Sequence, residues 1–105
     1  SVSELFAEIA AQYGDPQWAE ADFRMTDARK AALWERLFVH NETPDFGKAV
    51  DHISRADGCK VYFADGSWVI CRFSGTEPLL RMAAEADTQA QAESYIAAWQ
   101  ALLAL

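Results

Sequence analysis

The sequence predicts an α+β domain, a four-stranded, mostly antiparallel sheet with helices packed on one of its faces. Three observations carry that prediction. Two Asp-Gly dipeptides, Asp57-Gly58 and Asp65-Gly66, sit between short apolar runs, which is a strong hairpin signal. Capping residues followed by apolar positions at helical spacing lie both before and after that region. Between them, near Ala49, the pattern changes from the helical period to short alternating runs.

Each element has a local reason. Ser1 to Tyr13 reads as an amphipathic helix: Ser1 and Glu4 fit a capping box, and Leu5, Phe6, Ile9 and Ala10 share a face. Gly14-Asp15-Pro16 ends it. The chain begins with Ser rather than Met, so residues 1–16 read as a connector helix and hinge from a preceding domain, and 17–105 as the domain itself. Gln17 to Met25 alternates roughly, with Trp18, Ala21 and Phe23, and reads as a strand. Thr26 or Asp27 caps a helix from about Ala28 to Val39, whose apolar positions are Ala31, Trp34, Leu37 and Phe38. His40 to Gly47 is turn chemistry.

The strands of the meander are then Val50 to Ala56, Cys59 to Ala64, Ser67 to Phe73 and Leu80 to Ala86. Thr88 and Gln91 cap a last helix from about Gln89, with Ala92, Tyr95, Ile96, Trp99, Leu102 and Leu103 on its buried face. Trp34, Trp68 and Trp99 read as core. A two-residue turn at Asp65-Gly66 sets Phe63 opposite Trp68 and Val61 opposite Ile70, so these four share the core side. The same register places Cys59 opposite Arg72 and Cys71 opposite Lys60. The two cysteines then point to opposite sides of the sheet and cannot form a disulfide.

Bulk properties narrow the function. A chain of 105 residues, 51% hydrophobic, suits one globular domain with one modest core. The net charge of −7 and the lack of a basic patch argue against a nucleic-acid partner. No apolar run is long enough to span a bilayer, and no basic-then-apolar N-terminal signal appears, so no membrane partner and a cytoplasmic location are expected. Neither the two cysteines nor the two histidines have zinc-site spacing. No nucleophile–base pair or metal cluster assembles, so no catalytic residue and no cofactor are assigned to this chain.

One segment stands out chemically: Arg72-Phe73-Ser74-Gly75-Thr76-Glu77-Pro78-Leu79-Leu80-Arg81. Two guanidinium forks, which match phosphate oxygens, flank two hydroxyl donors. Gly75 supplies the turn and a close approach for successive N–H groups, and Pro78 stiffens the exit. Glu77 is compatible with an anion only if it points away or pairs with an arginine. The alternative is a plain turn in a stand-alone interaction domain with no phosphate site, since Ser, Gly, Thr and Pro are ordinary loop residues.

The Arg-Phe-Ser-Gly-Thr-Glu-Pro string resembles the phosphate-binding loop in the C-terminal, fourth domain of the α-D-phosphohexomutases of the phosphoglucomutase/phosphomannomutase type. The hairpin before it and the strand and helix after it fit as well. The resemblance implies a TATA-box-binding-protein-like fold and a role within an isomerase that moves a phosphoryl group between hexose 1-phosphate and hexose 6-phosphate. It implies that Arg72, Ser74, Gly75, Thr76 and Arg81 contact the substrate phosphate. It places the reactive phosphoserine, the Mg²⁺ and the sugar-recognition loop on other domains of the same polypeptide. None of those motifs occurs here, so the chain is expected to bind hexose phosphate weakly without catalysis.

Overall fold

The computed structural model describes residues 16–105. The expected connector helix and the Gly14-Asp15 part of the hinge lie outside the described residues. The elements run β1 (Gln17–Arg24), α1 (Asp27–Phe38), β2 (Val50–Ser54), β3 (Cys59–Phe63), β4 (Trp68–Phe73), β5 (Leu79–Ala86) and α2 (Gln89–Leu103). All strand pairs are antiparallel, in the order β1-β5-β4-β3-β2. The α+β class holds, but the sheet has five strands rather than four. Gln17–Arg24 joins it by pairing along its whole length with β5.

Both helices begin at the residues whose side chains can satisfy a first-turn N–H. Thr26 Oγ1 accepts from Arg29 N–H at 3.1 Å, and Thr88 Oγ1 accepts from Gln91 N–H at 3.1 Å. The helices cover one face of the sheet. Leu33 and Leu37 of α1 and Tyr95, Ile96 and Trp99 of α2 form one core with Val61, Phe63, Val69, Cys71, Leu80, Met82 and Ala84. Trp34 corrects the sequence reading: it is 51% exposed and tilts against Phe38 at 5.5 Å. Leu33, one turn before Leu37, takes the buried position instead. No described helix is long and apolar enough to cross a membrane.

The β3–β4 hairpin also departs from expectation. Phe63 N–H donates to Ser67 O at 2.9 Å and Gly66 N–H to Phe63 O at 3.0 Å, with Gly66 at φ +94°. This is a three-residue loop with a left-handed glycine bulge, not a two-residue turn. The register moves by one residue, and every side chain of one strand changes face relative to its expected partner. Val61 now faces Val69, and Tyr62 faces Trp68. Trp68 and Ile70 leave the helix side for the open side. Cys59 and Cys71 become direct cross-strand partners, both buried and reduced. Burial pushes both thiols up.

The first Asp-Gly pair also closes a hairpin, over a longer loop that ends β2 at Ser54. Gly58 is needed there twice over. Its φ is +112°, and a Cβ would lie 2.6 Å from Cys71 O. The β2–β3 connection therefore presses directly on β4, one residue before Arg72.

Candidate functional site

The open face of the sheet is graded along its strands. Successive same-face residues lie two positions apart, about 6.8 Å along a strand. Trp18, Glu85 and Trp68 form one row across β1, β5 and β4. Glu20, Ala83 and Ile70 form the next, and Asp22, Arg81 and Arg72 the one nearest the β4–β5 loop. The aromatic row is closed on itself. Trp18 meets Trp68 edge-on at 5.5 Å, and Trp68 Nε1–H donates to Glu85 Oε2 at 3.1 Å. Glu85 is 1% exposed, and burial raises its carboxyl despite that bond and nearby Lys60. Lys60 Nζ lies 4.3 Å over the Trp68 ring.

The charged row is different. Arg72 and Arg81 are direct cross-strand partners, and like charges directly opposite each other destabilise a sheet. Each has an acidic neighbour. Arg72 Nη1 lies 3.5 Å from Asp57 Oδ2, and Arg81 Nε lies 3.7 Å from Asp22 Oδ1. Both pairs are exposed and loose, so they hold the guanidiniums weakly. A groove of about 500 Å³ opens beside them, lined by Glu20, Asp22, Ile70, Arg72, Arg81 and Ala83.

The loop that follows is built on its own first hydroxyl. Thr76 N–H and Glu77 N–H donate to Ser74 Oγ at 3.3 and 3.2 Å. Ser74 Oγ and Thr76 Oγ1 lie 3.4 Å apart. Ser74 N–H donates to Leu79 O at 3.0 Å, which continues the ladder beyond Phe73. Glu77 pairs with Arg24 at 3.4 Å, so its carboxylate is engaged by a cation of its own. Gly75 corrects one expectation. Its φ is not left-handed, so the turn does not require glycine. A Cβ there would meet nothing within 4 Å, so the space its missing side chain leaves is open to an approaching group.

All five residues singled out from the sequence thus lie in or beside one loop. Sequence reasoning missed Asp22, Asp57 and Lys30. Asp22 is brought to Arg81 by the β1–β5 pairing, and Asp57 flanks Arg72 through the Gly58 approach. Lys30 reaches the loop from α1, donating to Ser74 O at 2.9 Å and Glu77 O at 3.3 Å. No local signal marks contacts of that sequence separation. Among the described residues no three His, Cys, Asp or Glu side chains gather as metal ligands. What the arrangement offers is two exposed guanidiniums and two hydroxyls around a backbone loop, a donor-rich surface suited to an oxyanion.

Residues 19–100 match the family described as phosphoglucomutase/phosphomannomutase, C-terminal domain. A phosphoglucomutase/phosphomannomutase of Thermococcus kodakarensis is 46% identical over 96 residues, covering 90% of this chain and 18% of that protein. A phosphopentomutase of the same organism is 32% identical over 88 residues, covering 84% of this chain and 18% of that one. A protein named "Probable phosphoglucosamine mutase" in Methanothermobacter thermautotrophicus is 38% identical over 66 residues, covering 63% and 14%. The chain therefore spans less than a fifth of the length of these relatives. On the extent of the family match, the chain belongs to the phosphoglucomutase/phosphomannomutase C-terminal domain family.

Proposed function

We propose that the β4–β5 loop holds the non-reacting phosphate of a sugar phosphate, as the C-terminal module of a phosphohexomutase. The observation that carries this reading is the direct pairing of Arg72 with Arg81 on the open face. Two like charges in that position are unfavourable alone and become favourable around a dianion. Arg72 and Arg81 would clamp the phosphate oxygens, the Ser74 and Thr76 hydroxyls would donate to those remaining, and Gly75 would contribute its N–H. Holding the spectator phosphate orients the sugar so that its other end reacts elsewhere, and that remote binding energy lowers the barrier there.

The parent enzyme in this reading interconverts hexose 1-phosphate and hexose 6-phosphate in the cytoplasm. Its phosphoserine and its Mg²⁺ belong to other domains of the polypeptide, to which residues 1–16 connect. The relatives' names differ in the sugar and share the phosphate, which suits a clamp that contacts phosphate alone.

The test is an amide NMR titration of the chain with glucose 6-phosphate. Resonances between Arg72 and Arg81 should shift, the effect should weaken with salt, and glucose should produce far less. Silence of every amide between Arg72 and Arg81 would sink the reading. One observation favours the rival, an interaction domain with an ordinary turn: Ser74 closes the loop from within. In that case Arg72→Ala and Arg81→Ala would leave phosphate affinity unchanged.

A further inference from the structure

We infer that Lys30 is a positioning residue for this loop, turning the Ser74–Gly75 peptide so that the Gly75 N–H faces outward as an anion donor. The inference rests on the phosphate reading above and adds a residue and a role to it.

The ammonium comes from a fixed place. Lys30 is the fourth residue of α1, whose start is held by the Thr26 cap and by Lys30 N–H donating to Thr26 O at 2.9 Å. Leu33 and Leu37 anchor the following turns in the core. From there Nζ grips carbonyls at both ends of the turn, Ser74 O and Glu77 O. A planar trans peptide points its C=O and its N–H in opposite directions, and the chain has no cis peptide bond among the described residues. Fixing Ser74 O toward α1 therefore fixes Gly75 N–H away from it.

The neighbouring amides are already used. Thr76 N–H and Glu77 N–H both donate to Ser74 Oγ, whereas Gly75 N–H has no acceptor among the described residues. It is the loop amide left for a ligand, and the open space at Gly75 leaves room for one. A cation on the carbonyl also polarises that peptide and strengthens its N–H as a donor.

The experiment is an amide NMR titration with inorganic phosphate on wild type, Lys30→Met, Lys30→Arg and Arg72→Ala. Lys30→Met should weaken phosphate binding about tenfold and at least halve the Gly75 amide shift at saturation, with little change in melting temperature. Lys30→Arg retains a cationic donor and should stay within about threefold of wild type. Lys30→Met with wild-type affinity and a wild-type Gly75 shift would overturn the inference. Should Lys30→Met not fold, the wild-type titration decides. The Gly75 amide proton must move downfield at least as far as those of Thr76 and Glu77, and a stationary Gly75 amide overturns the inference. Unchanged binding by Arg72→Ala would instead remove the phosphate reading itself, so the two failures are distinguishable.

Discussion

The β3–β4 hairpin and the β4–β5 loop are made of the same kinds of residue and do opposite things with their charges. At the first, Asp65 accepts from Ser67 N–H at 3.0 Å and Ser67 Oγ–H at 2.5 Å and pairs with Lys48. Ser67 Oγ in turn meets the buried Tyr95 OH at 2.7 Å. Burial alone would push the Asp65 carboxyl up, but the hydrogen bonds from Lys48 and Ser67 outweigh it and bring it down to about 2. Every charge finds a partner inside the domain, and the network ties the hairpin to α2. At the second loop, two arginines face one another and their acidic neighbours are loose and exposed. Similar turn composition thus leaves the charges of one loop locked into a network with the core and those of the other exposed to solvent.

That contrast breaks first at the arginines. Arg72→Ala or Arg81→Ala should each cost about 1.5–3 kcal/mol of sugar-phosphate affinity, the worth of a hydrogen bond to a charged group. Calorimetric titration measures it. Thermal unfolding should show the melting temperature held or slightly raised, because a like-charge pair is relieved.

Asp65→Asn should do the reverse, removing about 1–2 kcal/mol of stability with no change in phosphate binding. The sign of its pH dependence follows from the lowered carboxyl. Folded at about 2 against an ordinary 3.8, Asp65 stabilises the fold above pH 3.8, and that contribution fades as pH falls toward 2. Acid unfolding of wild type and Asp65→Asn should therefore converge over that interval. Curves that stay parallel down to pH 2 would show that the network contributes nothing electrostatic.

The glycines of the two loops differ in the same way. Gly66→Ala forces a side chain into φ +94° and should cost about 1 kcal/mol of stability. Gly75→Ala, with an ordinary φ and open space around it, should change stability by less than about 0.5 kcal/mol. It should still weaken phosphate binding, since the new methyl group occupies the approach to the Gly75 N–H. Denaturant unfolding read beside a phosphate titration separates the two effects.

How much was legible follows the range of the interactions. Thr26 and Thr88 mark helix starts because a cap acts within three residues, and the α2 face from Ala92 to Leu103 is set by its own periodicity. The first strand needed β5 to complete it, and its eight alternating residues did not reveal which edge it would occupy. Trp34 and Leu33 are neighbours in sequence, and only the packing of α1 on the sheet decided which would be buried. The β3–β4 register turned on a single glycine bulge, a choice of turn type that the Asp-Gly dipeptide leaves open.

The order of helices and strands, the family and the loop from Arg72 to Arg81 are written in local signals, because caps, periods and turn residues act over a few positions. Tertiary structure decided what that loop became. Strand pairing set Arg72 against Arg81, the β2–β3 connection brought Asp57 to its side, and α1 carried Lys30 across 44 and 47 positions to the carbonyls of Ser74 and Glu77. Those contacts depend on register and helix placement, which the whole core fixes at once and no local pattern encodes.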